Sequence, residues 1–199
     1  MIIKSLTRKK PDFEGLLNYI FHGASDKVLS ITNNLSFTGG TPEEERESII
    51  RQFIENDSLL KIKSKSYNRL FHEIISLPVK KNIEPSYQKK ILFDLVHSYI
   101  EKRGERLLVY GNIHQDHEHH LHAHLMLSVN DLNNEKRLLL SKERFKQIKK
   151  ELEIELILKY PDLEYEPIHS RKENLEKDID LINHRKRQKE FELVKRAGK

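Results

Sequence analysis

The chain has 199 residues, enough for one substantial domain with or without an appendage, and its 34% charged against 37% hydrophobic residues point to some solvated helix outside the core. The absence of cysteine excludes disulfide frameworks and thiolate metal sites, and no run of about 18 apolar residues or signal-peptide core is present, so a cytoplasmic protein without a membrane partner is expected. A formal net charge of +5 is a mild lean toward polyanionic partners.

Residues Ile2 to Thr7 read as a short opening strand. Asp12 is placed to cap a helix from Phe13 to about Phe21, with Leu16, Leu17 and Ile20 as its apolar stripe and Tyr19 between stripe residues. Val28 to Ile31 suits a second strand, followed by a Thr/Asn/Gly-rich connection through Gly40. Thr41, Pro42 and the acidic Glu43 to Glu45 make the clearest helix start in the chain: a cap, a first-turn proline and negative charge at the positive end of the dipole. Ile49, Ile50, Phe53 and Ile54 form the buried stripe of this helix, which is expected to end near Asn56.

A basic segment follows, Leu60 to Arg69, in which Lys61, Lys63, Lys65 and Arg69 suit contacts to phosphates. Arg69 to Leu77 reads as a strand stopped by Pro78, with Phe71, Glu73, Ile75 and Leu77 on one face and His72, Ile74 and Ser76 on the other. The carboxylate of Glu73 within this apolar strand belongs either to the wet side of an edge strand or to a site. Pro85 to Glu101 is a long amphipathic helix with Ile91, Leu92, Leu95, Val96, Tyr99 and Ile100 inside, closed by Gly104.

The stretch from Tyr110 to Asn130 holds six of the eleven histidines. From His120 to Val129 the residues alternate, with His120, His122, His124, Met126 and Ser128 on one side and Leu121, Ala123, Leu125, Leu127 and Val129 on the other. A period of two is a strand signal, here with one aliphatic and one histidine face. Residues i and i+2 project from the same face roughly 6.5–7 Å apart, so His122 and His124 can converge on one cation. Glu105 to His114 reads as a preceding strand, the polar run Gln115 to His119 as the turn, and the resulting antiparallel hairpin brings His114 to the pair. Three imidazoles with open positions would result. Asp116 and Glu118, in the turn, are placed to orient an imidazole or offset the ion's charge. The competing reading is a solvated histidine-rich loop that binds metal incidentally.

Asn133 and Asn134 in LNNEKRL suit a second hairpin turn, and Ser141 caps a helix with Phe145, Ile148, Leu152 and Leu156 on its buried side, ending before Pro161. From Ser170 onward the chain reads as charged helix with a thin stripe of Leu175, Ile179, Ile182, Phe191 and Val194; Arg171 and Lys172 add to its basic character. The expected architecture is α+β, a central antiparallel β-sheet flanked by helices over residues 1–168 and a charged helical tail over 169–199.

His114-x-Asp116 followed by His122-Ala123-His124, on a strand running on to Asn130, resembles the three-histidine motif of relaxases, the mobilisation nucleases of the HUH endonuclease superfamily. The resemblance extends to the early tyrosine in LLNYI, the strand FHEIISLP, the helix before the histidine hairpin and the closing KRAGK. The extra histidines His117, His119 and His120 leave His120 as an alternative ligand in a register shifted by one pair. The resemblance implies a catalytic domain, either the N-terminal part of a longer protein that continues into a further C-terminal region or a short-form nuclease, that nicks single-stranded or melted DNA at an origin of transfer alongside accessory conjugation proteins. It implies Tyr19 as the nucleophile that forms a 5′-phosphotyrosine, and a divalent ion, manganese or magnesium, held by His114, His122 and His124. Histidine-only ligation also tolerates zinc, nickel and cobalt. Since a free tyrosine hydroxyl has a pKa of about 10, Glu73 and Asp116 are the candidate bases. The alternatives are a replication initiator or transposase of the same superfamily, whose tyrosine normally follows the histidines, a nucleic-acid-binding accessory protein with a structural ion, and a small-phosphoester hydrolase.

Overall fold

The computed structural model describes residues 1–8, 12–22, 30–37, 39–59, 68–117, 120–132, 137–169, 179–180 and 183–184, with backbone alone for Arg8, Asp116, His117 and His120. The chain divides into two compact units, Met1–Ser141 and Lys142–Lys199. No helix among the described residues is long and apolar enough to cross a membrane.

Among the described residues, the first unit is a five-stranded antiparallel sheet with three helices, an α+β arrangement. Its strands are β1 (Ile2–Arg8), β2 (Ile31–Asn33), β3 (Leu70–Pro78), β4 (Val109–His117) and β5 (His120–Ser128), in the order β1-β3-β5-β4-β2. The histidine hairpin β4–β5 therefore lies inside the sheet, with β5 at its centre. The helices are α1 (Phe13–His22), α2 (Pro42–Ser58) and α3 (Pro85–Gly104).

Local chemistry sets each helix start. The Asp12 carboxylate accepts from the Gly15 backbone N–H at 2.8 Å. Thr41 and Glu44 exchange side-chain-to-backbone hydrogen bonds as a capping box, satisfying N–H groups that the first turn of α2 leaves without helical partners. Glu84 accepts from the Tyr87 N–H ahead of Pro85 in α3. Phe13, Leu16, Leu17 and Ile20 of α1 are buried with Ile49 and Phe53 of α2 against Leu70, Leu108, Tyr110 and Met126. Each such side chain contributes roughly 1.5–3 kcal/mol by leaving water.

Several boundaries differ from the sequence expectation. β2 begins at Ile31, and its expected start at Val28 and Leu29 lies outside the described residues. Asn33 Nδ2 fastens its end by donating to the carbonyls of Glu105 and Leu107. Glu105–Leu107 turn after Gly104, with Leu107 N–H donating back to the Gly104 carbonyl, so β4 starts only at Val109. β4 also runs through the polar residues expected to turn, with Gln115 opposite Leu121 and His117 opposite His120. The Asn133–Asn134 turn lies outside the described residues, although Asn130 and Arg137 on either side of it form an antiparallel bridge.

The two sheet faces have different coverings. α3 packs on β3 and β5 over the aliphatic face, whereas α1 packs on β4 and β5 over part of the histidine face. Beneath α3, Glu73 is only 1% exposed and its carboxylate accepts from the Tyr99 hydroxyl, from Ser5 Oγ at 2.8 Å and from Arg103 Nε at 3.4 Å. The Arg103 guanidinium also lies over the Phe71 ring, 4.8 Å from its centroid. Burial, and then the Glu73 carboxylate, raise the Tyr99 hydroxyl well above its ordinary range.

In the second unit, α4 (Lys142–Lys159) is followed by a 3-10 turn at Pro161–Leu163. The buried Glu153 gathers the Tyr165 hydroxyl at 3.0 Å and the backbone N–H groups of Ile168 and His169, each at 2.7 Å. Of the expected tail, residues 179–180 and 183–184 are helical and the remainder beyond His169 lies outside the described residues.

Removing the Glu73 carboxylate strands the Arg103 cation in a side-chain site that is 2% exposed. Glu73→Ala is expected to cost about 3–5 kcal/mol in urea unfolding, with metal binding by the folded fraction unchanged. Because the folded state raises the Tyr99 pKa, its contribution is complete below the unfolded value near 10 and is lost as pH rises beyond it. Unfolding free energies measured above pH 10 should therefore fall less steeply in Tyr99→Phe than in the parent chain.

Candidate metal centre

The pairing register builds the site. His114 on β4 stands directly opposite His122 on β5, and His124 lies between Asn112 on β4 and Ile74 on β3. With a side-chain period of two, all three imidazoles share one face, and their donor nitrogens lie within 4.8 Å of one another. Two nitrogens on one tetrahedral zinc-sized ion, each about 2.0–2.1 Å from it, sit about 3.3–3.4 Å apart. Inward shifts of under about 1 Å by each side chain thus close the triad on a cation, so the residues fit a divalent ion. Close approach of the strands is secured by Gly111: a Cβ there would lie 2.4 Å from Leu125 Cδ2 and 2.6 Å from the His124 carbonyl oxygen.

Two of these histidines have one ring nitrogen engaged by a neighbour. His114 Nε2 lies 2.9 Å from the Ile20 carbonyl, which can only accept, so Nε2 carries the proton and Nδ1 is left to bind metal. His124 Nδ1 lies 2.8 Å from His72 Nε2 on β3. In the tautomer whose Nδ1–H donates to His72, His124 presents Nε2 as the metal donor. Burial, together with His114, His122 and His72, lowers the His124 pKa to about 3, which keeps this imidazole in the neutral form that metal binding requires.

Tyr19 lies over this cluster. Its ring centroid is 5.1 Å from that of His124 in an edge contact, 6.0 Å from His72 and 6.2 Å from His114, while 54% of the residue remains exposed. The same helix supplies the Ile20 carbonyl that orients His114, so α1 positions both the tyrosine and a ligand. Tyr19, His114, His122 and His124 are thereby brought together.

Glu73 is not part of this site and cannot act there as a base. It projects from β3 toward α3, opposite the face carrying His72, and is engaged by Tyr99, Ser5 and Arg103. The Asp116 and His120 side chains, and all of Lys61, Lys63, Lys65, Arg171 and Lys172, lie outside the described parts of the chain. The Arg69 guanidinium pairs with Asp57, whose hydrogen bond raises the Arg69 pKa, so this cation is already engaged within the protein. The residue that sequence reasoning passed over is His72. Its signal was available: it occupies the β3 face opposite Glu73, and strand pairing was needed to bring that face against His124.

His72→Ala should weaken manganese binding about 10–100-fold, measured by calorimetric titration of the apoprotein, because His124 loses the acceptor that fixes its tautomer. A change smaller than threefold in a variant that melts like the parent would sink that role for His72. Compared with known proteins, the chain matches no family model, no curated protein and no solved structure.

Proposed function

We propose that this chain is a metal-dependent DNA-nicking nuclease of the relaxase type in the HUH superfamily, acting through Tyr19 on unpaired DNA. The observation that carries the reading is the seating of Tyr19 over a three-histidine cluster, 5.1 Å from His124 between ring centroids. A core tyrosine would not be 54% exposed beside three converging metal donors.

His114, His122 and His124 would hold the ion. When bound, a divalent cation supplies Lewis-acid stabilisation of charge developing on the non-bridging oxygens of a phosphodiester. Three neutral imidazoles leave its charge undiminished, and among the described residues they supply three donors rather than the four that close a structural site. Manganese and magnesium are the ions implied by the relaxase resemblance, and zinc, nickel and cobalt also suit this donor set.

Tyr19 Oη forms a bond to phosphorus as the bond from phosphorus to the 3′ oxygen breaks. The tyrosyl proton leaves to solvent through the exposed side of the residue, and the departing 3′ oxygen takes up a proton. The products are a 5′-phosphotyrosine and a free 3′-hydroxyl. Because the ester retains the phosphodiester energy, attack by a 3′-hydroxyl reverses the step, which suits nicking and rejoining of a transferred strand. The substrate in this reading is an origin of transfer on a plasmid or transposable element, processed with accessory conjugation proteins.

Covalent trapping tests the proposal. Incubation with Mn²⁺ and single-stranded oligonucleotides spanning candidate transfer origins should give a shifted protein–DNA band on a denaturing gel. Tyr19→Phe is expected to reduce adduct formation by about 10³-fold or more, and His122→Ala or chelation by EDTA to suppress it likewise. An adduct that survives Tyr19→Phe would show that another residue is the nucleophile.

A further inference from the structure

Helices α1 and α2 cover only part of the histidine face: Leu70 and His72 of β3 are buried, while among the described residues Ile74 and Ser76 of β3 are half-buried and the same face of β1 is exposed. Met1, just ahead of β1, and Ile3 on it are buried, whereas Ile2, Lys4 and Leu6 emerge on the histidine face and are exposed, Ile2 at 49% and Leu6 at 48%. Two large aliphatic side chains left in water on an edge strand flank a single cation. The pairing register connects them with the site: Ile2 stands opposite Ser76, which is opposite His122; Lys4 is opposite Ile74, which is opposite His124; and Leu6 is opposite His72. Ile74 and Ser76, which lie between β1 and the histidines, are only half-buried.

We infer that this open strip is a docking face for the unpaired DNA strand that flanks the phosphate at the metal centre, with Lys4 contacting a neighbouring phosphate and Ile2 and Leu6 supporting bases or sugars. The inference rests on the nuclease reading for the identity of the strand. Spacing and chemistry favour this occupant. Neighbouring strands are about 4.8 Å apart, which places the Lys4 backbone about 10 Å from that of His124, and the extended lysine side chain shortens the gap to an adjacent phosphate. Same-face residues recur every ~6.6–6.8 Å along β1, so an apolar, cationic, apolar sequence is presented on a flat surface. An unpaired strand has both base faces and phosphates to offer such a surface, whereas a duplex hides the bases from Ile2 and Leu6.

The test uses the full chain carrying Tyr19→Phe, in EDTA, with fluorescence anisotropy of a labelled mixed-sequence single strand read across a salt series. Adding Lys4→Gln should lower affinity and reduce the slope of log affinity against log salt by about 0.7, the contribution of one single-strand phosphate. Leu6→Ser should weaken single-strand binding about 3–10-fold, leaving the salt slope and the affinity for duplex unchanged. Both positions are exposed, so the variants should melt like the parent. Unchanged slope and affinity would overturn the inference. So would sedimentation showing a dimer that Leu6→Ser dissociates, since a second copy would then occupy the face. Loss of single-strand affinity in these variants, with no covalent adduct from the wild-type chain, would retain the docking face and discard the nuclease reading. An adduct accompanied by normal binding of both variants would do the reverse.

Discussion

The register of β4 against β5 is the constraint on which the rest depends. His114 faces His122 because Gly111 pairs with Leu125, and Gly111 accepts that approach because it has no Cβ to strike Leu125 or the His124 carbonyl. A slip of one residue would turn β5 over, sending its histidines toward α3 and exposing Leu121, Ala123 and Leu125. Burial of those aliphatic side chains therefore enforces the geometry of the imidazoles on the other face. The candidate metal centre inherits its precision from hydrophobic packing that never touches it.

The helix α1 joins that sheet to the tyrosine. Leu16, Leu17 and Ile20 anchor it by burial, leaving Tyr19 at a position between them with most of one side in solvent. The Ile20 carbonyl, near the helix end, is among those without an intrahelical partner, so it is available to His114, and Asn112 Nδ2 approaches the same oxygen at 3.4 Å. A displacement of α1 would accordingly disturb a ligand's tautomer as well as the tyrosine's position. Packing of the stripe and chemistry of the site are joined through one carbonyl group.

Most elements were legible because each carries its own local signal. The Thr41–Pro42–Glu44 start of α2, the stripe of α3 and the alternation of β5 all read directly as the structure has them. Boundaries failed where a tertiary bond decided them: Gln115 looks like a turn residue, yet pairing with Leu121 keeps it in β4. In the candidate site, the three histidines could be grouped from spacing and a hairpin. His72 could not, since its proximity to His124 depends on β3 lying beside β5, a pairing between segments 52 residues apart. Glu73 misled for the same reason. A carboxylate in an apolar strand shows that something compensates it, and only the packing of α3 identifies Tyr99 and Arg103 as the compensation rather than a reacting tyrosine.

Adjacent residues of β3 thus perform separate tasks on opposite faces. Glu73 directs its charge into a closed network under α3, where burial strengthens each hydrogen bond and an unmatched partner would be costly. His72, the preceding residue, directs an imidazole ring to His124, where a buried carboxylate would instead offset part of the charge of any cation held there. Exchanging the two side chains would leave composition and hydropathy almost unaltered, but it would place a carboxylate against the metal ligands and leave Arg103 without its anion. The division follows from strand alternation alone, which sends consecutive residues to opposite faces at no cost in length. A single strand can then hold a charge-paired core on one side and an imidazole that supports the candidate metal ligands on the other.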